Sequence, residues 1–528
     1  MRFVIGIGVV CVAGAVSGAV HPSGIFSDHM VLQRDRPVRV WGEADPGERV
    51  KVMFAGHAAE TTAGTNGEWL VELPACPMSC EGRTLECRGK TDVVFKDVLV
   101  GDVWLVSGQS NAEMTFGWGI LNGAAERAAA TNFPNIRAVR FEKLRAMTPQ
   151  RAVKASPWCV CTAATLANVS AEGYFFAREL NRETGVPIGI LDNNWGGSQI
   201  EPYIPLEGYE SASGLEKQAD IQRKRLVDFD KYAIRRERYV SSMLRWAKYA
   251  EEQRKAGKPV EYWPSGIGGP DTTYCGQYNA MIAPIVAFPI AGATWYQGCS
   301  NGGEDESYAV KLKALARSWR KAWGYDFPFY VVQLSSFYPQ VTTPEGGDKY
   351  ARIRDAQRRA VAEIPDSGLV VTIDIGNAGD IHPKNKLDVG IRLSKWALRD
   401  VYGRRDLVAS GPLFKSVRYE GAEARVTFAS CGSGLFAGEK GPDTPGQLPT
   451  PASDGRLVGF AIAGADRKWV WADARIDGDT VVLTSPEVER PVAVRYGFRG
   501  NAMGLANLYN REGLPASPFR TDSWPCTF

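Results

Sequence analysis

The order of hydrophobic and polar positions changes character twice along this chain. From Val31 to about Val98, apolar and polar residues alternate in short runs separated by glycine and proline, as in Val38-Arg39-Val40-Trp41. Such alternation is typical of half-buried antiparallel strands. The pattern predicts a small β-sandwich-like domain over residues 20–98.

Continuous apolar stretches replace this alternation near Gly101. They are Val103-Trp104-Leu105-Val106, Ile188-Gly189-Ile190-Leu191, Phe329-Tyr330-Val331-Val332 and Leu369-Val370-Val371-Thr372-Ile373. Long helical patterns separate these stretches, as expected for a parallel sheet with helices on both faces. The sequence predicts an α/β domain over 99–408. Short strand patterns return after about Gly411 and predict a second β domain over 409–528.

A heavily charged stretch inside the α/β region carries apolar residues at helical spacing. These residues are Leu226, Phe229, Ala233, Val240, Met243 and Ala247. We expect one or two amphipathic helices inserted near residues 208–262. Their role is expected to be packing rather than partner binding.

The first residues are typical of a cleaved secretory signal. A single arginine precedes an apolar run from Val4 to Val16, and Ser17-Gly18-Ala19 supplies small residues for cleavage. The run is shorter than the roughly 20 residues that span a membrane. We expect a signal peptide over 1–19, cleavage near Ala19, no membrane anchor, and a periplasmic or secreted protein.

The overall charge of the chain argues against two classes of binding partner. The 528 residues include 62 Lys and Arg against 59 Asp and Glu, a net charge of +3 without long single-sign blocks. This balance gives no support for nucleic acid or an anionic membrane as a partner. A small or neutral partner is expected, and the oligomeric state stays open.

The cysteines do not define the fold. Ten are present, and nine remain after Cys11 in the predicted signal. Two of Cys76, Cys80 and Cys87 could form a bridge outside the cytoplasm. The Cys159-Val160-Cys161 pair has no histidine nearby in sequence to complete a zinc site, so we expect no metal and no cofactor.

Histidine is scarce, and one of the four histidines lies where α/β folds place their sites. His382 follows the apolar strand ending at Ile373, within Asp380-Ile381-His382-Pro383. Loops after buried strands commonly carry catalytic groups. Asp380 and His382 are therefore candidates for the orienting acid and the base of a catalytic triad.

Ser110 is the best candidate nucleophile, because Gly108-Gln109-Ser110-Asn111 follows another buried strand. Ala112 stands where an ordinary α/β-hydrolase elbow has its second glycine, which argues against that fold. Two further strand-end segments could supply oxyanion donors: Trp195-Gly196-Gly197-Ser198 and Trp295-Tyr296-Gln297-Gly298. Glycine permits close approach of a backbone N–H, and a glutamine amide is a neutral donor.

These four segments, in this order, resemble the SGNH-type hydrolases and, within them, the sialate O-acetylesterase-like family. The resemblance covers nearly all of the mature chain. It also includes Phe26-Ser27-Asp28-His29-Met30-Val31-Leu32-Gln33, Asn507-Leu508-Tyr509-Asn510 and Gly513-Leu514-Pro515-Ala516-Ser517-Pro518-Phe519-Arg520-Thr521-Asp522. It implies an SGNH-hydrolase-like fold and a serine esterase that removes acetyl groups from sugar hydroxyls.

By motif position, the resemblance implies a role for each candidate residue. Ser110 would be the nucleophile, His382 the base and Asp380 the orienting acid. Gly197 and Gln297 would join the Ser110 N–H as oxyanion donors. Asn111 and Trp195 are candidate substrate-binding residues.

One position departs from the family pattern. The family usually has Gln-Gly-Glu-Ser-Asn where this chain has Gln297-Gly298-Cys299-Ser300-Asn301. Cys299 could alter activity, or could pair with Cys275. The alternatives are an acetylesterase for another glycan, such as xylan or pectin, a carbohydrate-binding protein on an inactive esterase scaffold, or a lipase.

Overall fold

The computed structural model describes residues 19–260 and 274–526, apart from the side chains of residues 230–236. Residues 1–18 of the predicted signal peptide, including Cys11, lie outside the described residues.

The N-terminal region consists of short strands, all but one of which pair antiparallel with their neighbours. They are β1 (His21–Pro22), β2 (Val31–Gln33), β3 (Val38–Glu43), β4 (Arg49–Phe54), β5 (His57–Thr62), β6 (Glu68–Leu73) and β7 (Ser79–Arg88). Strands β1, β3 and β6 form one sheet, in that order. The order β5-β4-β7 continues into the following strand, β8 (Asp92–Gly108), with which β2 pairs parallel. Two sheets therefore build this region, as the alternating pattern predicts.

Strand β8 belongs to two regions at once. Its first half pairs with β7, and its second half enters the central sheet. Burial follows the same division: exposed and half-buried positions alternate up to Asp97, whereas every residue from Val98 to Gly108 is buried. The expected boundary at residue 98 therefore marks a change of environment inside one continuous strand.

The central α/β region contains the parallel sheet. Its further strands are β9 (Ile136–Arg140), β10 (Cys159–Val160), β11 (Ile188–Asn194), β12 (Gly292–Tyr296), β13 (Phe329–Val332) and β14 (Ser367–Val370). The order is β10-β9-β11-β8-β12-β13-β14, and only β10 runs antiparallel to its neighbour along this path. Every residue of β11, β12 and β13 is buried. Both faces of the sheet are therefore covered, which explains the continuous apolar runs.

The α/β region also contains α-helices. They are α1 (Ser110–Glu113), α2 (Gly123–Ala129), α3 (Ala171–Thr184), α4 (Leu206–Glu210), α5 (Glu216–Lys255), α6 (Glu306–Trp323), α7 (Lys349–Glu363) and α8 (Leu387–Asp400). Helix α3 packs against α8, and α6 packs against α7. The α/β fold class is confirmed.

The insertion forms a single long helix, α5, rather than two. Its 40 residues carry the predicted apolar positions, but Val240 is 50% exposed and Leu244 is 67% exposed. Part of the apolar stripe therefore faces solvent instead of a core. The expected end of the insertion, near residue 262, lies outside the described residues.

The C-terminal region is a second β structure. Its strands are β15 (Leu413–Glu420), β16 (Glu423–Ala429), β17 (Leu435–Glu439), β18 (Thr450–Pro451), β19 (Phe460–Ala463), β20 (Trp469–Trp471), β21 (Asp473–Asp477), β22 (Thr480–Thr484), β23 (Ala493–Tyr496), β24 (Leu508–Asn510) and β25 (Phe519–Arg520). They form sheets in the orders β15-β16-β22-β21, β18-β17-β24 and β20-β19-β23-β25. The second β domain expected from the sequence is therefore present.

Within the described ranges, no helix combines the length and apolar character needed to cross a membrane.

Candidate active site

Ser110 begins helix α1 directly after strand β8, at a turn that requires glycine. Gly108 has φ +150°, and a Cβ there would lie 2.3 Å from the carbonyl oxygen of Tyr296 in the neighbouring strand. The next residue, Gln109, donates its backbone N–H to that same carbonyl at 3.0 Å. The turn therefore projects Ser110 from the carboxyl edge of the sheet. As the first residue of a helix, Ser110 has a backbone N–H without an intrahelical partner.

His382 and Asp380 lie together on the loop that follows β14. The Asp380 Oδ1 accepts the His382 backbone N–H at 2.9 Å and lies 3.4 Å from His382 Nδ1. The opposite ring nitrogen, Nε2, is buried and has no hydrogen-bond partner among the described residues. The imidazole thus keeps one nitrogen beside a carboxylate and the other free to take a proton. In unliganded enzymes the bond from nucleophile to base commonly tightens only when substrate binds.

The surroundings of His382 favour its neutral form. Burial lowers its pKa, Asp380 opposes this effect, and the charges of Lys386 and Lys384 lower the pKa further. For Asp380, partial burial alone would raise the pKa, but the His382 N–H and the Lys384 charge outweigh it and hold the pKa below its usual range. A neutral imidazole beside an ionised carboxylate is the arrangement that general-base catalysis requires.

The pH dependence follows from the direction of the His382 shift. A protonated imidazole cannot accept the serine proton, so kcat/KM should rise with pH through an apparent pKa below the ordinary histidine value of 6.5. Initial rates on an aryl acetate across the acid and neutral range would measure this limb. An apparent pKa above that value would contradict the assignment of His382 as the base.

Asn111 joins the nucleophile to the histidine loop. Its Nδ2 donates to the carbonyl of Ile381 at 2.9 Å, and its Oδ1 accepts from Lys386 Nζ at 2.6 Å. The residue is 2% exposed. The Asn111 amide is thus buried and hydrogen-bonded on both sides within the protein, and its expected role in substrate binding stays a prediction.

Trp195, Gly196 and Gly197 line the other side of Ser110. A Cβ on Gly196 would lie 3.4 Å from Ser110 Cβ, which places this turn directly beside the nucleophile. Gly197 is exposed, has φ +75°, and its N–H makes no hydrogen bond within the described part of the chain. It can therefore serve as a donor. Trp195 is half-buried, and the Arg145 guanidinium lies 4.8 Å from its ring centroid.

A carboxylate that the sequence analysis did not single out braces this turn. Glu113 Oε2 accepts the Gly196 N–H at 2.6 Å, and Oε1 accepts from Arg140 Nη2 at 3.0 Å and Lys143 Nζ at 2.5 Å. Glu113 is 5% exposed. Because Glu113 lies three residues after Ser110 on α1, it fixes the glycine turn relative to the nucleophile.

Removal of this brace should reduce catalysis more than binding. We expect Glu113→Ala to lower kcat by up to about 10²-fold with little change in KM, since one lost oxyanion donor costs about 10²–10³-fold. Glu113→Gln should also lose activity, though less than Glu113→Ala, because its single amide oxygen can accept from Gly196 only if its NH₂ group faces Arg140 and Lys143. Steady-state kinetics would compare both variants with Glu142→Ala, which removes an exposed carboxylate nearby. Unchanged kcat in Glu113→Ala would contradict the bracing role.

Gln297 does not present a free donor. Its Nε2 donates to the Ser198 carbonyl at 3.1 Å and to Asn301 Oδ1 at 2.8 Å, while its Oε1 accepts from Tyr308 at 2.9 Å. The residue is fully buried. Both partners of Nε2 are acceptors, which fixes the orientation of the amide. The described contacts therefore do not support the predicted role of Gln297 as an oxyanion donor; it ties the turn after β12 to the turn after β11.

The cysteines are unpaired in the described part of the chain. Cys299 and Cys275 are free thiols, so the pairing considered for them is not formed. Burial raises the pKa of Cys299, while a hydrogen bond from Tyr350 and the Lys386 charge oppose the rise. Cys76, Cys80 and Cys87 are also free. Cys299 is therefore a half-buried free thiol, near enough to Lys386 for the lysine charge to affect its pKa.

No group of three or more His, Cys, Asp or Glu side chains suited to a metal ion occurs in residues 19–260 and 274–526.

Comparison with known proteins identifies the chemistry. A family model for carbohydrate esterases of the sialic acid-specific acetylesterase type matches residues 229–398, a range that includes Asp380 and His382. Sialate O-acetylesterase from Rattus norvegicus is 28% identical over 430 residues, which are 74% of this chain and 75% of the rat protein. The Homo sapiens sialate O-acetylesterase is 26% identical over 423 residues, covering 74% of this chain and 72% of the human protein.

A solved structure of a carbohydrate acetylesterase from Xanthomonas citri extends the likeness to almost the whole chain. It is 34% identical, has a TM-score of 0.78, and covers 96% of this chain and 100% of its own. This coverage includes both β regions as well as the central sheet. The chain therefore belongs to the sialate O-acetylesterase-like family of carbohydrate esterases, and it is a carboxylic-ester hydrolase.

Proposed function

We propose that this protein removes acetyl groups from sugar hydroxyls by an acyl-enzyme mechanism in which Ser110 is the nucleophile, His382 the base and Asp380 the orienting acid. Acetyl ester hydrolysis on sugars follows from the family. The assignment of the triad rests chiefly on the Asn111 amide, which joins the Ser110 helix to the Asp380 and His382 loop across 270 positions of sequence. That contact ties the residue after Ser110 to the residue before His382, whose Nε2 has no hydrogen-bond partner among the described residues, and this supports the assignment.

Acylation would begin with attack of the Ser110 hydroxyl oxygen on the acetyl carbonyl carbon. His382 Nε2 takes the hydroxyl proton, and Asp380 stabilises the imidazolium through Nδ1. The carbonyl oxygen becomes an oxyanion, which the N–H groups of Ser110 and Gly197 can receive. Collapse of this intermediate breaks the ester bond, and the imidazolium returns the proton to the departing sugar oxygen.

Deacylation repeats the sequence with water. His382 takes a proton from the water as its oxygen attacks the acetyl-Ser110 carbonyl. The second oxyanion occupies the same donors, and its collapse releases acetate and restores the Ser110 hydroxyl. Each step needs a neutral imidazole at the start, in agreement with the lowered pKa of His382.

Acetylated sialic acid, with an ester at the 9-hydroxyl, is the first candidate substrate within this proposal. Its support is the likeness to the rat and human sialate O-acetylesterases. Acetylated xylan and pectin are the alternatives. Trp195 can stack on a sugar ring beside Ser110, whichever glycan carries the acetyl group.

The test is release of acetate. Purified protein should hydrolyse an aryl acetate much faster than a long-chain aryl ester, and should release acetate from at least one of O-acetylated sialic acid, acetylated xylan and acetylated pectin. Ser110→Ala provides the matched control for background hydrolysis. Sugar binding without acetate release would instead favour an inactive scaffold, and preference for the long-chain ester would indicate a lipase.

Export is part of the proposal. The apolar run from Val4 to Val16 with small residues up to Ala19 supports cleavage by signal peptidase. Expression with the native N-terminus, followed by N-terminal sequencing of the exported protein, should give a chain beginning near Val20. A protein retained inside the cell with Met1 intact would contradict export.

A further inference from the structure

A fully buried lysine lies directly behind the catalytic loop. Lys386 is four residues after His382, immediately before helix α8, and it is 0% exposed. Its Nζ donates to Asn111 Oδ1 at 2.6 Å and lies 5.1 Å from the ring centroid of Tyr296. The acyl-transfer steps above use neither Lys386 nor Asn111 as a reacting group.

The Asn111 side-chain amide forms hydrogen bonds with both ends of the segment 381–386. Its Nδ2 holds the Ile381 carbonyl, at the start of the segment 381–386, and its Oδ1 receives the ammonium of Lys386, at the end of that segment. His382 lies between these two anchor points, and Ser110 precedes Asn111 in the chain. We define the Asn111 clamp as this pair of hydrogen bonds.

The ammonium and the Ile381 carbonyl together determine which way the amide faces. A positive donor requires the carbonyl oxygen of Asn111 on its side, which leaves the NH₂ group for the Ile381 carbonyl. Without the ammonium, the Asn111 Oδ1 would be buried without its donor, and only the bond to the Ile381 carbonyl would hold the amide. The common anchor that sets the separation of Ser110 and His382 would then be weakened.

A buried carboxyl group also acts on Lys386. Glu172, in the first turn of α3, is fully buried, and neither of its carboxylate oxygens has a hydrogen-bond partner among the described side chains and backbone. Burial lowers the pKa of Lys386, and the charge of Glu172 opposes this effect. Burial raises the pKa of Glu172 to about 8, and the charge of Lys386 opposes this rise. Burying either group in its charged form is costly, and each reduces that cost for the other.

From this geometry we infer that Lys386 is a positioning residue of the esterase, which orients the Asn111 amide so that the nucleophile helix holds the histidine loop in the reactive arrangement. This inference rests on the proposed triad. It assigns no proton transfer to Lys386. Its effect should therefore appear in kcat rather than in substrate binding.

The test uses two independent ways of breaking the clamp. Lys386→Met combined with Glu172→Gln removes the ammonium without leaving an unpaired buried carboxylate. Asn111→Leu removes the amide while keeping both charges. Each should lower kcat on an aryl acetate by about 10²-fold with little change in KM, since small misplacements of reacting groups can cost that much. The triple variant should lose no more than either parent, because the clamp acts as one unit.

Lys440→Met is the matched control for the loss of a buried lysine. The Lys440 side chain is 1% exposed, and its Nζ lies 3.1 Å from the Asp388 carboxylate, in the first turn of helix α8. The other hydrogen bonds of Lys440 go to the carbonyls of Thr444 and Gln447, not to Asn111. It should lower Tm while leaving kcat close to wild type. An equal loss of kcat in Lys440→Met would overturn the inference.

The remaining outcomes separate the inference from the proposed function. Wild-type-like kcat in either clamp variant, or losses that add in the triple variant, would overturn the role of Lys386 while leaving the Ser110 mechanism intact. A wild-type protein without acetylesterase activity, or a fully active Ser110→Ala, would instead overturn the proposed function.

Discussion

Ser110→Ala is expected to lower kcat by at least about 10³-fold, because in the proposed mechanism Ser110 forms the acyl-enzyme and the three proposed triad residues act as a unit. The remaining rate would come from the oxyanion donors and from substrate binding. Turnover of an aryl acetate by purified protein, with circular dichroism to verify folding, measures this loss. KM should change little, since the hydroxyl contributes more to the transition state than to the bound substrate.

Ser107→Ala is the matched control for this variant. Ser107 lies three residues earlier on β8, is fully buried, and donates its hydroxyl to the Asn193 carbonyl at 2.8 Å. Its loss should cost about 1 kcal/mol of stability and leave kcat near wild type. A Ser110→Ala protein with wild-type turnover would show that another residue is the nucleophile.

His382→Ala is expected to cause a loss of similar size, at least about 10³-fold in kcat, because the base takes a proton in both acylation and deacylation. The Ser110→Ala/His382→Ala double variant should be no slower than either single variant, since removing one member already disables the unit. Steady-state kinetics of the three proteins under one buffer condition would measure this non-additivity.

His57→Ala supplies the control for the histidine. His57 is exposed on β5, in the N-terminal region away from the parallel sheet. Its replacement should leave activity and folding unchanged. Near-full activity of a folded His382→Ala protein would mean that the base has been misassigned.

The layered architecture is predictable from the sequence because buried positions tend to be apolar and exposed positions polar. Strand β8 shows what a prediction from hydrophobicity achieves and where it stops. Its exposed and half-buried residues alternate up to Asp97 and all of its residues are buried from Val98 onwards, as the sequence pattern predicts. The same chain segment nevertheless remains one strand. A change of pattern therefore predicts which layers cover a strand, and it does not predict where the strand ends.

The loops of the candidate site are predictable because parallel strands direct their carboxyl ends to one edge of the sheet. Ser110 follows β8, Gly196 and Gly197 follow β11, and His382 follows β14. The order of strands along the chain and the parallel chain direction are enough to predict that these residues lie at one edge of the sheet. The structure places the residues on neighbouring loops, as that reasoning requires.

The roles of individual amides are not predictable in the same way. Asn111 and Gln297 stand in the expected turns, but their hydrogen bonds go to Lys386 and Ile381 in one case and to Ser198 and Asn301 in the other. Side-chain direction depends on partners that are distant in sequence. An amide in a strand-end turn is equally suited to bind substrate or to hold two loops together.

Glu113 and Lys386 were missed for a related reason. A carboxylate three residues after Ser110 and a lysine four residues after His382 both resemble ordinary charged positions at helix starts. Only their burial, at 5% and 0% exposure, shows that they serve the interior of the site. The sequence feature that could have identified them is their short separation along the chain from Ser110 and His382, the proposed catalytic residues.

Covalent labelling of Ser110 tests the central claim most directly. Wild-type protein would be treated with a fluorophosphonate, which transfers its phosphonyl group to the oxygen of an activated serine with loss of fluoride, and then digested for peptide mass spectrometry. The account predicts one modified residue, Ser110, with labelling that is abolished in Ser110→Ala, strongly slowed in His382→Ala and blocked by excess acetyl ester. Labelling of a different residue, together with esterase activity that persists in Ser110→Ala, would contradict it.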